Sequence, residues 1–229
     1  MFANRLLATM VLMLAGAVAA ATAGTARDGI GTFVRGEHAS MTMITTSPRT
    51  LTPTRTNDAG LVTIFSNLAS KYPKGEYWCC TGYNVMGSQS GNGEQWMAAA
   101  FTPTADHTVT KIEVGAGWSQ GTNGIVVSLN KDSNGAPGAA LKTWNVSNLG
   151  IFGTCCALVV KSDKSGIPVS AGKQYWVVLS TNGNELDTVD AWNVDDTDQV
   201  DSATLASFTG SQWNVFQVSP GVAFAVKGN

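Results

Sequence analysis

From Leu61 to the end of the chain, short runs of alternating apolar and polar residues recur, each closed by turn formers, and this pattern leaves no room for a long helix. Thr110, Ile112, Val114, Ala116 and Trp118 share one strand face while Lys111, Glu113, Gly115 and Gly117 share the other. Ile125, Val127 and Leu129 repeat the alternation, as do Tyr175, Val177 and Leu179, and Val222, Phe224 and Val226. Further strands are predicted at 62–66, 96–101, 140–146, 154–161, 191–194 and 212–217. The clusters SQSGNGE, SQGTNG, KDSNGAPG and KSDKSG read as turns between them. Some nine or ten short strands without a helix predict an all-β fold: one antiparallel β-sandwich over residues 61–229, jelly-roll-like.

All four cysteines fall in two adjacent pairs, Cys79-Cys80 and Cys155-Cys156. Neighbouring residues on a strand point to opposite faces, so a bond within one doublet needs a strained ring and pairing between doublets is easier. Two disulfides are therefore expected. Antiparallel pairing would join Cys79 to Cys156 and Cys80 to Cys155, but four cysteines allow three connectivities. A bridge from 79 to 156 closes a loop of 77 residues, for which chain entropy assigns roughly 4–5 kcal/mol. Four thiolates could also hold zinc, but structural zinc sites space their paired ligands by two to four residues.

Disulfides imply an oxidising compartment, and the amino terminus points to one independently. Arg5 is followed by an apolar run from Leu6 to Val18 and then by small residues around Ala19 to Ala23, the pattern of a secretory signal over residues 1–23. About 13 apolar residues are too few to span a bilayer, which takes about 20. Residues 24–60 are rich in Thr, Pro, Arg and Ser, carry no period, and read as a flexible leader outside the fold. Within it Met41-Thr42-Met43-Ile44-Thr45 matches the start of the β-galactosidase α-peptide carried by many cloning vectors, so this stretch reads either as a vector remnant or as a chance match.

Charged residues make up 13% of the chain and the net charge is −2, so no basic stripe addresses nucleic acid. No later segment is apolar enough to span a membrane. Catalytic patterns are weak. Ser170-Ala171-Gly172-Lys173 fits S-x-x-K but enters a strand rather than a helix, and Gly87-Ser88-Gln89-Ser90-Gly91 misses the serine of a nucleophile elbow. A Ser-His-Asp triad would have to use His107, because the other histidine, His38, lies in the leader. The acidic stretch with Asp195, Asp196 and Asp198 is the candidate calcium site, since calcium takes oxygens from carboxylates and loop carbonyls. Seven tryptophans either pack the core or offer flat faces to sugar rings; Trp176 and Trp213 are the two expected to be exposed as ligand platforms.

The segments YWCCTGYNV (77–85), AAAFTPTADHTVTKIEV (98–114), VSLNKDSNGAPGAAL (127–141), LGIFGTCCALV (149–159), GIPVSAGKQYWVV (166–178) and DAWNV (190–194) occur in this order and resemble the secreted bacterial choice-of-anchor R domain. The resemblance spans about residues 62–228 and rests chiefly on the two cysteine doublets. It implies an exported β-sandwich and leaves the activity open. Members carry a carboxy-terminal sorting signal, and none follows Lys227-Gly228-Asn229. The chain is thus expected to be a secreted, non-catalytic module binding a polymer or a cell-surface or matrix glycan. The rivals are a secreted hydrolase of esters or glycosides and a structural surface component.

Overall fold

The computed structural model describes residues 32–35, 41–47, 58–68, 77–78, 80–154, 158–184, 186–195 and 203–229. Among them run fifteen strands and no helix. They are β1 (Thr32–Arg35), β2 (Thr42–Thr45), β3 (Val62–Ser66), β4 (Thr81–Met86), β5 (Trp96–Phe101), β6 (His107–Val114), β7 (Ala116–Gln120) and β8 (Gly124–Ser133). The chain continues through β9 (Ala136–Ser147), β10 (Val159–Val169), β11 (Tyr175–Ser180), β12 (Val189–Asn193), β13 (Ala203–Phe208), β14 (Trp213–Val218) and β15 (Phe224–Gly228). Three antiparallel sheets result, ordered β1-β2-β4-β12-β7, β10-β6-β15-β3 and β14-β13-β5-β11-β8-β9. No helix among the described residues is long and apolar enough to cross a membrane.

The first two sheets run into each other at Gly115. The alternation predicts one strand from Thr110 to Trp118, but the chain changes sheets at this glycine and becomes β6 and β7. Its carbonyl accepts both the Asn193 N–H (2.7 Å) and Asn193 Nδ2 (2.9 Å), and its N–H donates to Ala223 O at 3.0 Å. A Cβ on Gly115 would stand 2.9 Å from the Tyr77 ring, so only glycine lets that ring lie on the junction. Across from the joined sheets lies the six-stranded sheet, and one apolar core draws on all three: Tyr83, Val85 and Trp192; Ile112, Val114 and Phe224; Met97, Val177, Leu179 and Leu205. Through its centre Phe65 stacks on Phe224 at 4.6 Å, Trp192 meets Phe224 edge-on at 5.9 Å, and Phe101 lies 5.9 Å from Tyr175. Each such pair adds about 0.5–1.5 kcal/mol beyond area burial. The architecture is all-β and sandwich-like.

Two expectations need correction. Residues 41–47 and 58 are not outside the fold: β2 pairs with β4 through Met43↔Tyr83, Ile44↔Gly82 and Thr45↔Thr81, and Met41 and Ile44 are buried. The sequence hides this strand because its neighbours are polar and periodless, whereas its own four residues suffice to fill a slot beside β4. The rest of the leader, like the signal segment, lies outside the described residues apart from β1 and the turn residues 59–60. The KSDKSG cluster is not a turn between strands but an irregular stretch inside β10, whose register against β6 shifts between Ser162 and Ile167. By contrast the DSNG turn is formed as expected: Asn134 and Gly135 hold φ of 55° and 82°, the two left-handed positions of a tight hairpin, and Asp132 accepts the Gly135 N–H at 2.9 Å. Of the cysteines, Cys80 is buried just before β4, while Cys79, Cys155 and Cys156 lie outside the described residues.

Candidate functional site

Strand parity divides the six-stranded sheet into an inner face, which joins the core, and an outer face. Met97, Ala99, Phe101, Val177, Leu179 and Leu205 point inward. Cross-strand register then sets three rows on the outer face: Trp213, Phe208 and Trp96; Val215, Ala206, Ala98, Val178 and Ser128; and a third interrupted between β13 and β5, with Gln217 and Thr204 on one side and Ala100, Trp176 and Asn130 on the other. None of these positions carries a charge.

This outer face is bent rather than flat. The β8–β9 pairing shifts register twice, between Leu129 and Asn130 and between Asn130 and Asp132, and such bulges kink a strand and tighten its twist. As a result β9 and β14, at opposite ends of the sheet order, approach each other. Asp132, at the bent end of the hairpin, accepts Trp176 Nε1 at 2.8 Å and Gln174 Nε2 at 2.9 Å. Burial works against the charge on Asp132, but these bonds and the Gly135 N–H outweigh it and hold the carboxyl below the usual carboxylate range. Trp176 is accordingly 0% exposed. It is part of the scaffold, and the expectation that it forms an exposed platform is corrected.

Trp213, also expected to be exposed, is partly buried. Ala98 and Ala206 are too small to shield themselves, yet both are 0% exposed, because Trp176, Val178 and the partly buried Trp213 pack around them. A half-buried indole against alanines turns its other side to solvent. Beside it Phe208 sits at 5.5 Å and 55°, and Phe208 in turn stacks on Trp96 at 4.4 Å and 18°. Those two rings hide their faces against each other, and Trp96 Nε1 is tied to Thr181 Oγ1 at 3.2 Å. Trp213 is the one ring of the three with no stacked ring partner among the described residues, and Val215 is exposed next to it in the adjoining row. The polar residues nearby are held by one another: Gln217 Nε2 donates to Thr204 Oγ1 (2.7 Å), Ser128 Oγ to Asn130 Oδ1 (2.7 Å) and Asn130 Nδ2 to Gly138 O (2.7 Å). Sequence reasoning missed Phe208 and Trp96. The signal was the register of β13 against β5, which sequence alone does not show.

The remaining candidates fall elsewhere. His107 opens β6 opposite Val169 and lines an open depression of about 320 Å³ with Asp106, Ser170 and Asn229. The three residue types of a triad thus share one place, but Asp106 Oδ1 accepts the Ala171 N–H (2.8 Å), the Ser170 N–H donates to Tyr175 Oη (3.0 Å), and no hydrogen bond among the described residues links His107 to either side chain. Ser170 and Lys173 form a turn, with the Lys173 N–H donating to Ser170 O at 3.2 Å. Asp195 is buried and accepts Asn67 Nδ2 at 2.8 Å, whereas Asp196 and Asp198 lie outside the described residues. Among the described residues no three His, Cys, Asp or Glu side chains gather as a metal site.

On the outer face of the four-stranded sheet, four charges close a ring. Asp58 takes Lys111 on Oδ1 (2.5 Å) and Lys227 on Oδ2 (2.6 Å), and Glu113 takes the same lysines on Oε1 (2.9 Å) and Oε2 (2.6 Å). Burial opposes the charge on Asp58, but the hydrogen bonds and charges of the two lysines prevail and bring its carboxyl down to about 2. Both lysines are also desolvated, and their carboxylate partners nevertheless hold them above the ordinary lysine value.

Comparison of the chain with family models, with curated proteins and with solved structures gives no match.

Proposed function

We propose that the protein is an exported, non-catalytic module that binds an uncharged polysaccharide along the outer face of the six-stranded sheet. The observation that carries this reading is Trp213: a half-buried ring set against alanines, on a face whose rows hold amides, hydroxyls and apolar groups but no charge. A flat π-face suits the C–H face of a pyranose, and amide and hydroxyl side chains suit its hydroxyls. The sandwich-like fold supports a jelly-roll arrangement, and the signal-like amino terminus and the resemblance to the choice-of-anchor R domain support export. Two disulfides between the doublets fit the same setting. In support of them, Cys80 precedes Gly82 of β4 by two residues, and Phe152, three residues before Cys155, packs with Ile44 and Ala191, whose strands flank β4. Mass measurement before and after alkylation without reductant tests the bridges: four blocked thiols in the untreated protein would count against them.

The test of function is retention of the purified chain on insoluble neutral polysaccharides. Trp213→Ala is expected to cut retention about tenfold or more while leaving the circular dichroism spectrum unchanged. Failure to bind any neutral polymer would sink the reading. The depression holding Asp106, His107 and Ser170 favours a second reading, an ester hydrolase whose triad assembles only around substrate. Turnover of a fluorogenic ester lost in His107→Ala would establish it.

A further inference from the structure

The β5–β13 ladder ends early. Its last pair is Leu205↔Ala99, although β5 continues to Phe101 and β13 starts at Ala203, so the two strands part and leave a cleft of about 220 Å³ between them. Its apolar lining is Phe65, Phe101, Phe224 and Leu205, beside the buried Asn67, whose amide is taken up by Asp195, Val222 O and the Phe224 N–H. Gln174 and Thr204 line it too, the latter beside Gln217 on the outer face. A face that binds a polymer through Trp213 thus runs along β13 into an apolar hole.

The lining is chemically polarised. Gln174 Nε2 is committed to Asp132, which fixes the amide orientation and leaves Gln174 Oε1 as an acceptor with no hydrogen bond among the described residues. Thr204 Oγ1 already accepts from Gln217, so its own hydroxyl proton is left to donate. One acceptor and one donor in front of an apolar chamber match the N–H, the C=O and the methyl of an acetamido group. Size agrees. At about 30 Å³ of liquid per water the cleft holds about seven water-sized groups, ample for such a substituent. Resting on the glycan-binding reading above, we infer that the cleft selects polysaccharides bearing N-acetyl groups, with the acetamido methyl inserted between β5 and β13.

Chitin and cellulose make the test, because they share a β-1,4 backbone and differ at the C2 substituent. The full chain is expected to hold chitin at least tenfold more tightly than cellulose. Thr204→Val, which keeps the shape and removes the donor, should lower that preference about fivefold. Ala100→Leu, which places bulk in the lining, should abolish it; should that variant fail to fold, Thr204→Val carries the test alone. Trp213→Ala should weaken both polymers alike. Equal retention of chitin and cellulose, or a preference unchanged in Thr204→Val, overturns the acetamido inference and leaves the broader glycan reading standing. Retention on no neutral polymer overturns both.

Discussion

The outer faces of the four-stranded and six-stranded sheets bury side chains by opposite means. On the first, the chain seals its own surface: Tyr77 lies on Gly115 with Leu158 and Ala223, and Asp58 closes a ring with Lys111, Glu113 and Lys227. On the second, aromatic rings crowd over alanines, no charge enters the three rows, and Trp213 and Val215 stay in reach of solvent. A face covered by its own chain, with its charges paired, offers little to a partner. A face that keeps an indole half-open above small residues retains apolar surface for one.

The largest effect that would break this contrast comes from the charge ring. Glu113→Ala removes one of the two carboxylates that hold the buried Lys111 and the partly buried Lys227 and is expected to destabilise the fold by about 3 kcal/mol, read as a lower urea midpoint; polymer retention by the molecules still folded should not change. Next comes Gly115→Ala, whose methyl would press on the Tyr77 ring and cost about 1–3 kcal/mol. In a Tyr77→Ala background the same change should cost little, since the clash is gone. An undiminished cost there would place the strain in the backbone of the junction instead.

The smallest effect is a pH dependence. The Asp58 carboxyl sits at about 2 in the folded chain against about 3.9 unfolded, so its contribution is present above pH 4 and is lost as the pH falls from about 4 towards 2. Lys111 and Lys227 are shifted the other way: their contribution is complete below about pH 10 and is lost as the pH rises through their raised values. Asp58→Asn should flatten the acid limb of a thermal-stability profile. A profile identical to the parent's would show that the ring adds nothing.

Alternation made legible strands with a strongly patterned core face, such as β6 and β8. It failed at β4 and β13. In β4 five of six residues are buried and only Tyr83 and Val85 alternate around Asn84, and β13 carries small residues that Trp213 covers. Trp176 was misplaced too. Opposite a core tyrosine it should face solvent, but the bulged β8–β9 hairpin bends over that side and Asp132 fastens it. The unbroken apolar run YWVVL was the sign of a strand buried on both faces. Trp213 was legible beside its polar turn, whereas its partners Phe208 and Trp96 needed strand register. Lys111 and Glu113 were correctly assigned to the non-core face, yet nothing local showed that Asp58 and Lys227 would meet them there.

The proposed binding of a neutral polysaccharide at Trp213 is tested by comparing parent and Trp213→Ala on matched panels of neutral and charged insoluble polysaccharides, at low and high salt. The expected result is retention on a neutral polymer that is insensitive to salt and falls about tenfold or more in the variant. Retention confined to charged polymers, eluted by salt and unchanged in Trp213→Ala, would contradict it.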